Sequence, residues 1–92
     1  MPKIEKQVTV VNKKGLHARP AALFVQLVEK FNVTVVVAKG EEKVNGKSIM
    51  GLLMLGAQSG TSLTLTVDGE QAETALVAFE EFFNKQEEDL VK

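Results

Sequence analysis

Thr61-Ser62-Leu63-Thr64-Leu65-Thr66-Val67 alternates apolar with hydroxyl side chains, then runs through Asp68-Gly69-Glu70-Gln71 into an apolar series of different spacing. A period of two puts Leu63, Leu65 and Val67 on one face of a strand and the threonines on the other. After the break, Ala72, Ala75, Leu76, Phe79, Phe82 and Phe83 recur at helical spacing, which predicts a closing helix over about 70–85. Asp68 followed three residues later by Gln71 offers that helix a capping-box-like start. A strand with one apolar face leading directly into an amphipathic helix points to a sheet covered on one side by helices.

The segments before it fit the same plan. Between Lys3 and Val11, residues Ile4, Val8 and Val10 share one parity while Lys3, Gln7 and Thr9 share the other, giving a first half-buried strand. From Pro20 to Phe31, Ala21, Leu23, Phe24, Val25, Leu27, Val28 and Phe31 fall on one arc of a helix. That arc exceeds half the circumference, wider than the stripe of roughly 100° that packing on a sheet requires. Residues 33–38 are β-branched and predict a central strand, with Lys39-Gly40 as a hairpin turn. Glu41 to Val44 is short and charged, as an edge strand protected against further pairing would be. Asn45-Gly46-Lys47 interrupts the chain, Ser48 is placed to cap a short helix from Ile49 to about Leu55, and Gly56 can end it. The tail from Gln86 to Lys92 is polar and is expected to fray. The order is βαββαβα, an α+β class chain with an antiparallel or mixed four-stranded sheet and three helices on one face, expected to form one domain over residues 1–92.

Composition narrows the function. Ninety-two residues can bury a core but not enclose a deep substrate pocket, so one surface site is expected. No apolar run approaches the ~20 residues of a membrane span, and the N-terminal residues lack a signal peptide's apolar stretch, so a cytoplasmic protein without membrane insertion is expected. The absence of cysteine excludes disulfides and zinc-finger spacings. One histidine with scattered carboxylates gives no metal-ligand cluster, and neither a metal nor another cofactor is expected. Charge is segregated along the chain: residues 1–47 hold nine Lys/Arg against four Glu, and residues 48–92 hold two Lys against eight Asp/Glu. Lys13, Lys14 and Arg19 crowd the histidine. They could form a solvated basic face, or steer an acidic protein or a phosphorylated group toward it.

That histidine lies in Gly15-Leu16-His17-Ala18-Arg19-Pro20, in a chain that also lacks tyrosine and tryptophan. Glycine before it, and proline and a helical pattern after it, place His17 at a helix N-terminus, where oriented N–H groups favour an anion. A lone histidine is commonly a plain surface or capping residue. Here Gly15 allows a tight approach, Arg19 supplies a fixed cation and the helix start supplies oriented N–H donors, and an imidazole in that setting could attack phosphorus. Positioning and electrostatic stabilisation are most of what phosphoryl transfer needs from its acceptor. With no adjacent general base or metal, His17 reads as a phosphoryl acceptor and donor that depends on partner enzymes.

The short helix after Ser48 is apolar all round, so some of Ile49, Met50, Leu53 and Met54 must be exposed, which points to a docking surface. Burial of this helix under a long loop is the competing reading. The stretch Gly40 to Ser48 imitates a P-loop, but five residues separate its glycines where four are needed. RNA recognition is disfavoured because all five aromatics are phenylalanines, most of them required by helix stripes. A ligand sensor is disfavoured by the lack of polar groups converging on a pocket.

Gly15 to Ala21, Asn45-Gly46-Lys47-Ser48-Ile49-Met50-Gly51 and Gly60-Thr61 resemble, at matching spacing and over nearly the whole chain, the HPr family of histidine-containing phosphocarriers of the bacterial phosphoenolpyruvate-dependent phosphotransferase system. The resemblance implies an open-faced β-sandwich in which His17 accepts a phosphoryl group on Nδ1 from Enzyme I and passes it to IIA domains of sugar permeases. It implies that the carrier is not itself an enzyme. Ala18 and Arg19 would hold the phosphoryl group. Ala22, Phe24, Lys47, Ile49, Met50, Leu53 and Met54 would form the partner surface. Ser48 matches a serine modified by an HPr kinase/phosphorylase in some bacteria, with a transcriptional regulator as a further partner. A monomer that binds no nucleic acid is expected. Lys13-Lys14 and the Leu52 to Leu55 run also suit the family's nitrogen-regulatory branch.

Overall fold

A computed structural model describes residues 3–86. The elements follow in the order β1 (Lys3–Thr9), α1 (Ala18–Val28), β2 (Thr34–Lys39), β3 (Glu42–Asn45), α2 (Ile49–Met54), β4 (Ser62–Asp68) and α3 (Ala72–Phe83). The strands form one sheet in the order β1-β4-β2-β3, with every neighbouring pair antiparallel. The alternation in β4 therefore lies at the centre of the sheet, where it sets the register of two neighbours. Lys3 faces Asp68 and Thr9 faces Ser62 on one side, while Thr34 faces Asp68 and Ala38 faces Thr64 on the other.

Leu63, Leu65 and Val67 are buried with Val8, Val35 and Val37 under the helices, while Thr64, Thr66, Thr34 and Val36 keep contact with solvent on the opposite face. The helices lie on one face, and the sheet is open on the other. No helix among the described residues is long and apolar enough to cross a membrane.

The wide apolar arc of α1 is consumed internally. Phe24 is fully buried, with its ring centroid 5.3 Å from Phe79, 5.4 Å from Phe82 and 5.2 Å from Phe83. Both α2 and α3 pack on α1, and its buried side chains join the common core. Phe24, expected on the partner surface, is therefore a core residue. Phe31 lies just beyond α1 but still meets Phe79 edge to face at 5.8 Å, because the chain tightens through Lys30 N–H to Leu27 O at 3.1 Å and Phe31 N–H to Val28 O at 3.1 Å.

Two turn assignments change. The β2–β3 turn is Gly40-Glu41, since Lys39 pairs with Glu42 as the last ladder pair. Gly40 has φ +60, the left-handed region that glycine enters without strain at the first loop position of a hairpin. The expected capping box at Asp68 does not form: Asp68 ends β4, the cap of α3 is Gln71, and its side chain does not cap the helix. Gln71 Oε1 instead accepts the Asn32 N–H, from the α1–β2 connection, at 2.7 Å. The strand expected to reach Val11 ends at Thr9, although Val10 still exchanges backbone hydrogen bonds with Gly60 at 2.7 Å and Thr61 at 2.9 Å.

Truncating Phe24 leaves a cavity among three other phenylalanines. Phe24→Ala is expected to cost about 3–5 kcal/mol, read as a lowered midpoint in equilibrium urea unfolding.

Candidate functional site

Gly15 has φ +73, and a Cβ at this position would stand 2.6 Å from Ala57 O and 3.0 Å from Gln58 Cα. Only glycine permits both the backbone conformation and the close approach. The contact is fixed by Leu16 N–H donating to Ala57 O at 2.8 Å, with Leu16 itself buried. Within the loop, buried Asn12 donates from Nδ2 to Gly15 O at 2.9 Å, and Gly15 N–H returns to Asn12 O at 2.9 Å.

A second clamp comes from the far end of the chain. Gln86 Nε2 donates to Val11 O at 2.8 Å, and Gln86 Oε1 accepts the Lys13 N–H at 3.0 Å. Gln86, expected to begin a frayed tail, is thus half-buried and bonded at both ends of its amide. The rest of that tail, residues 87–92, lies outside the described residues.

This loop delivers His17 as the N-cap of α1. The imidazole does not cap the helix, and the first turn closes through Ala21 N–H to His17 O at 3.0 Å. Of the first-turn amides, Pro20 has none, so the donors that helix geometry leaves without an intrahelical acceptor are those of Ala18 and Arg19. Ala18 and Arg19 are both exposed. His17 is half-exposed overall, and its Nε2 atom is buried. The imidazole, the two amides and the Arg19 side chain come from three consecutive residues at this surface, group types suited to holding a small tetrahedral anion.

The neighbouring helix supplies the rest. Ser48 caps α2, its Oγ accepting the Gly51 N–H at 2.9 Å. Gly51 itself is tight, with Val44 Cβ 3.1 Å from where its own Cβ would be. Leu52 and Leu55 are buried, whereas Ile49 is 41% exposed, Met50 67% and Met54 74%. Leu53 and Ala22 are half-buried, and Lys47 is exposed. Because α1 packs directly on α2, the apolar ridge of α2 adjoins the helix that His17 caps and that carries Ala22. Of the proposed partner residues, Phe24 alone is fully withdrawn into the core.

Three site-shaping contacts were not read from the sequence: the Asn12 loop bond, the Gln86 clamp, and Lys39 Nζ donating to Leu55 O at 2.7 Å behind α2. The latter two join residues far apart along the chain, where no spacing rule applies. Asn12 stands three residues before Gly15, an offset at which side-chain to backbone bonding is common, and could have been read.

Residues 4–85 match the family described as PTS HPr component phosphorylation site. The HPr-like protein Crh of Halalkalibacterium halodurans is 46% identical over 83 residues, covering 90% of this chain and 99% of that protein. The phosphocarrier protein HPr of Xylella fastidiosa is 42% identical over 87 residues, covering 94% of this chain and 98% of that protein. The crystal structure of HPr from Bacillus anthracis superposes with a TM-score of 0.85 at 41% identity, covering 90% of this chain and 99% of that one. The open four-stranded sheet with three helices is the architecture of a phosphoryl carrier. The chain belongs to the HPr family of the phosphotransferase system.

Two substitutions test this geometry. Gly15→Ala forces a left-handed alanine against Ala57 and is expected to cost about 1–2 kcal/mol or more, seen as a lower Tm in a circular dichroism melt. Met50→Glu, on the exposed ridge, is expected to leave stability within about 0.5 kcal/mol in the same melt.

Proposed function

We propose that His17 is the phosphoryl acceptor of this carrier and that Nδ1 is the accepting atom. The observation that carries this reading is the half-exposed residue His17, its Nε2 buried, standing at the N-terminus of α1 beside the Ala18 and Arg19 amides. In the forward step, the Nδ1 lone pair forms a P–N bond as the bond from phosphorus to the donor's leaving atom breaks. The amides and Arg19 take up charge on the phosphoryl oxygens. The reverse step returns the phosphoryl group to an acceptor bound at the same surface.

Enzyme I is the proposed donor and IIA domains of sugar permeases the proposed acceptors, both docking on Ala22, Lys47, Ile49, Met50, Leu53 and Met54. The exposed apolar ridge beside the basic loop supports this assignment, since it offers burial to a partner and the lysines offer steering. The protein acts as a substrate of its partners rather than as an enzyme, in the cytoplasm. Ser48 is proposed as a regulatory phosphorylation site for an HPr kinase/phosphorylase, with a transcriptional regulator as reader. A phosphate there would put about two negative charges at the edge of the ridge and weaken apolar docking.

The chain is proposed to act as a monomer, although the HPr of Thermoanaerobacter tengcongensis, 44% identical, has been solved as a dimer. Light scattering should give 10.0 kDa; twice that mass would overturn the monomer.

Incubation with phosphoenolpyruvate and Enzyme I is expected to add one acid-labile phosphoryl group, detected by intact-mass spectrometry at neutral pH and lost on acid treatment. His17→Ala should abolish it, and label retained in that variant would sink the assignment. Met50→Glu should slow transfer in both directions while His17 remains chemically intact. Kinase treatment with ATP should label the wild type and leave Ser48→Ala unlabelled, and equal labelling of both would remove Ser48 from the account.

A further inference from the structure

A helix of six residues such as α2 is below the length that sustains itself in water, so its ends and its buried side must be held by the rest of the fold. The N-terminal end is held by Ser48. The last turn contains no basic residue of its own, and the carbonyl at the C-cap, Leu55 O, is met from the sheet by Lys39 Nζ at 2.7 Å. Lys39 closes β2 and is half-buried, so its stem lies against the protein while its ammonium is committed to the negative end of the helix. Glu42 stands opposite Lys39 in the β2–β3 register, which makes a cross-strand charge effect the alternative role for this lysine.

Beyond Leu55, the chain turns at Gly56, with φ +61, and reaches Ala57, whose carbonyl seats the His17 loop through the Leu16 N–H at 2.8 Å. The segment 55–57 is thus tied on one side to β2 and on the other to the loop that presents the nucleophile. Both the docking ridge and the histidine take their positions from it.

We propose that Lys39 is a positioning residue for phosphoryl transfer: by holding Leu55 O it fixes the last turn of α2 against the sheet and sets the placement of the ridge relative to His17. It acts through the Leu55 carbonyl and contacts no phosphoryl group. Removing its ammonium therefore weakens productive docking and leaves the chemistry at the N-terminus of α1 unchanged. The inference rests on the carrier reading above for its kinetic arm, while its structural arm stands apart from that reading.

The experiment compares the wild-type chain with Lys39→Met, Lys39→Arg and Glu42→Gln in transfer from Enzyme I and to a IIA domain, alongside backbone amide spectra of each protein. Lys39→Met is expected to raise KM for both partners about tenfold, the scale of one lost hydrogen bond from a charged group, with kcat within about twofold. Lys39→Arg should recover most of the loss, and Glu42→Gln should be silent. Amide resonances of Leu16 and Leu55 to Ala57 should move in Lys39→Met and not in Glu42→Gln. An unchanged KM, a fall in kcat matching the fall in kcat/KM, or an equal effect of Glu42→Gln would overturn the proposal. Should Lys39→Met fail to fold, Lys39→Gln takes its place. If the wild type takes no phosphoryl group from Enzyme I, the carrier reading fails, and the resonance shifts alone then support or overturn the role of Lys39 at Leu55.

Discussion

The carbonyl of Ala57 receives the Leu16 N–H at 2.8 Å, and Gly15 packs so closely on the same peptide that no side chain fits between them. Two segments distant in sequence meet there without an intervening layer, the loop that ends β1 and the loop that leaves α2. Every component of the site depends on that junction. It sets where α1 begins, and so where the Ala18 and Arg19 amides stand. It also sets how far the exposed face of α2 lies from His17. A carrier must offer its nucleophile and its docking surface to several partners in one fixed relation, and a backbone-to-backbone contact fixes that relation more firmly than long side chains would.

The apolar residues divide between fold and function according to which layer can cover them. The sheet buries one face, where Leu63, Leu65, Val67, Val35 and Val37 meet the helices. Phe24 then goes to α3 and its phenylalanines, leaving α1 with little to expose. The six residues of α2 are too few to turn every apolar side chain inward. Leu52 and Leu55 take the buried positions, so Ile49, Met50 and Met54 remain outside. Their exposure follows from the geometry of a short helix on an already covered core, so the surface proposed for docking arises at little cost in stability.

Periodicity made the architecture legible because half-burial leaves a signature along β4 and α3, and a weaker one in β1, where Lys6 is exposed on the parity of Ile4 and Val8. The position of His17 was legible for a related reason: glycine, proline and the change of period around it are local signals of a helix start. Phe24 was misplaced because an apolar arc shows surplus surface but not what covers it, and here the cover is a helix almost fifty residues further on. Gln71 failed as a capping-box member because a tertiary donor, the Asn32 N–H, competed for the same side chain. Lys39 and Gln86 were invisible for the same reason. Each looks like a solvated polar residue, and each acquires its role only when a distant carbonyl or amide arrives beside it.

Those two residues resolve a mechanical problem that the sequence alone does not pose. The His17 loop and α2 are both short, and neither contains enough internal hydrogen bonding to hold its own shape. Gln86 ties the loop from three residues beyond α3, using one amide to satisfy a donor at Lys13 and an acceptor at Val11. Lys39 ties the end of α2 from β2. Lys39 reaches from β2 and Gln86 from just beyond α3, so the sheet and the segment that follows α3 brace the stretches proposed to carry the chemistry. Both tethers are part-buried, which leaves the outer side of each segment to the phosphoryl group and the partner proposed for it. A site assembled in this way can stay at the surface, open to different partners in turn, without becoming loose.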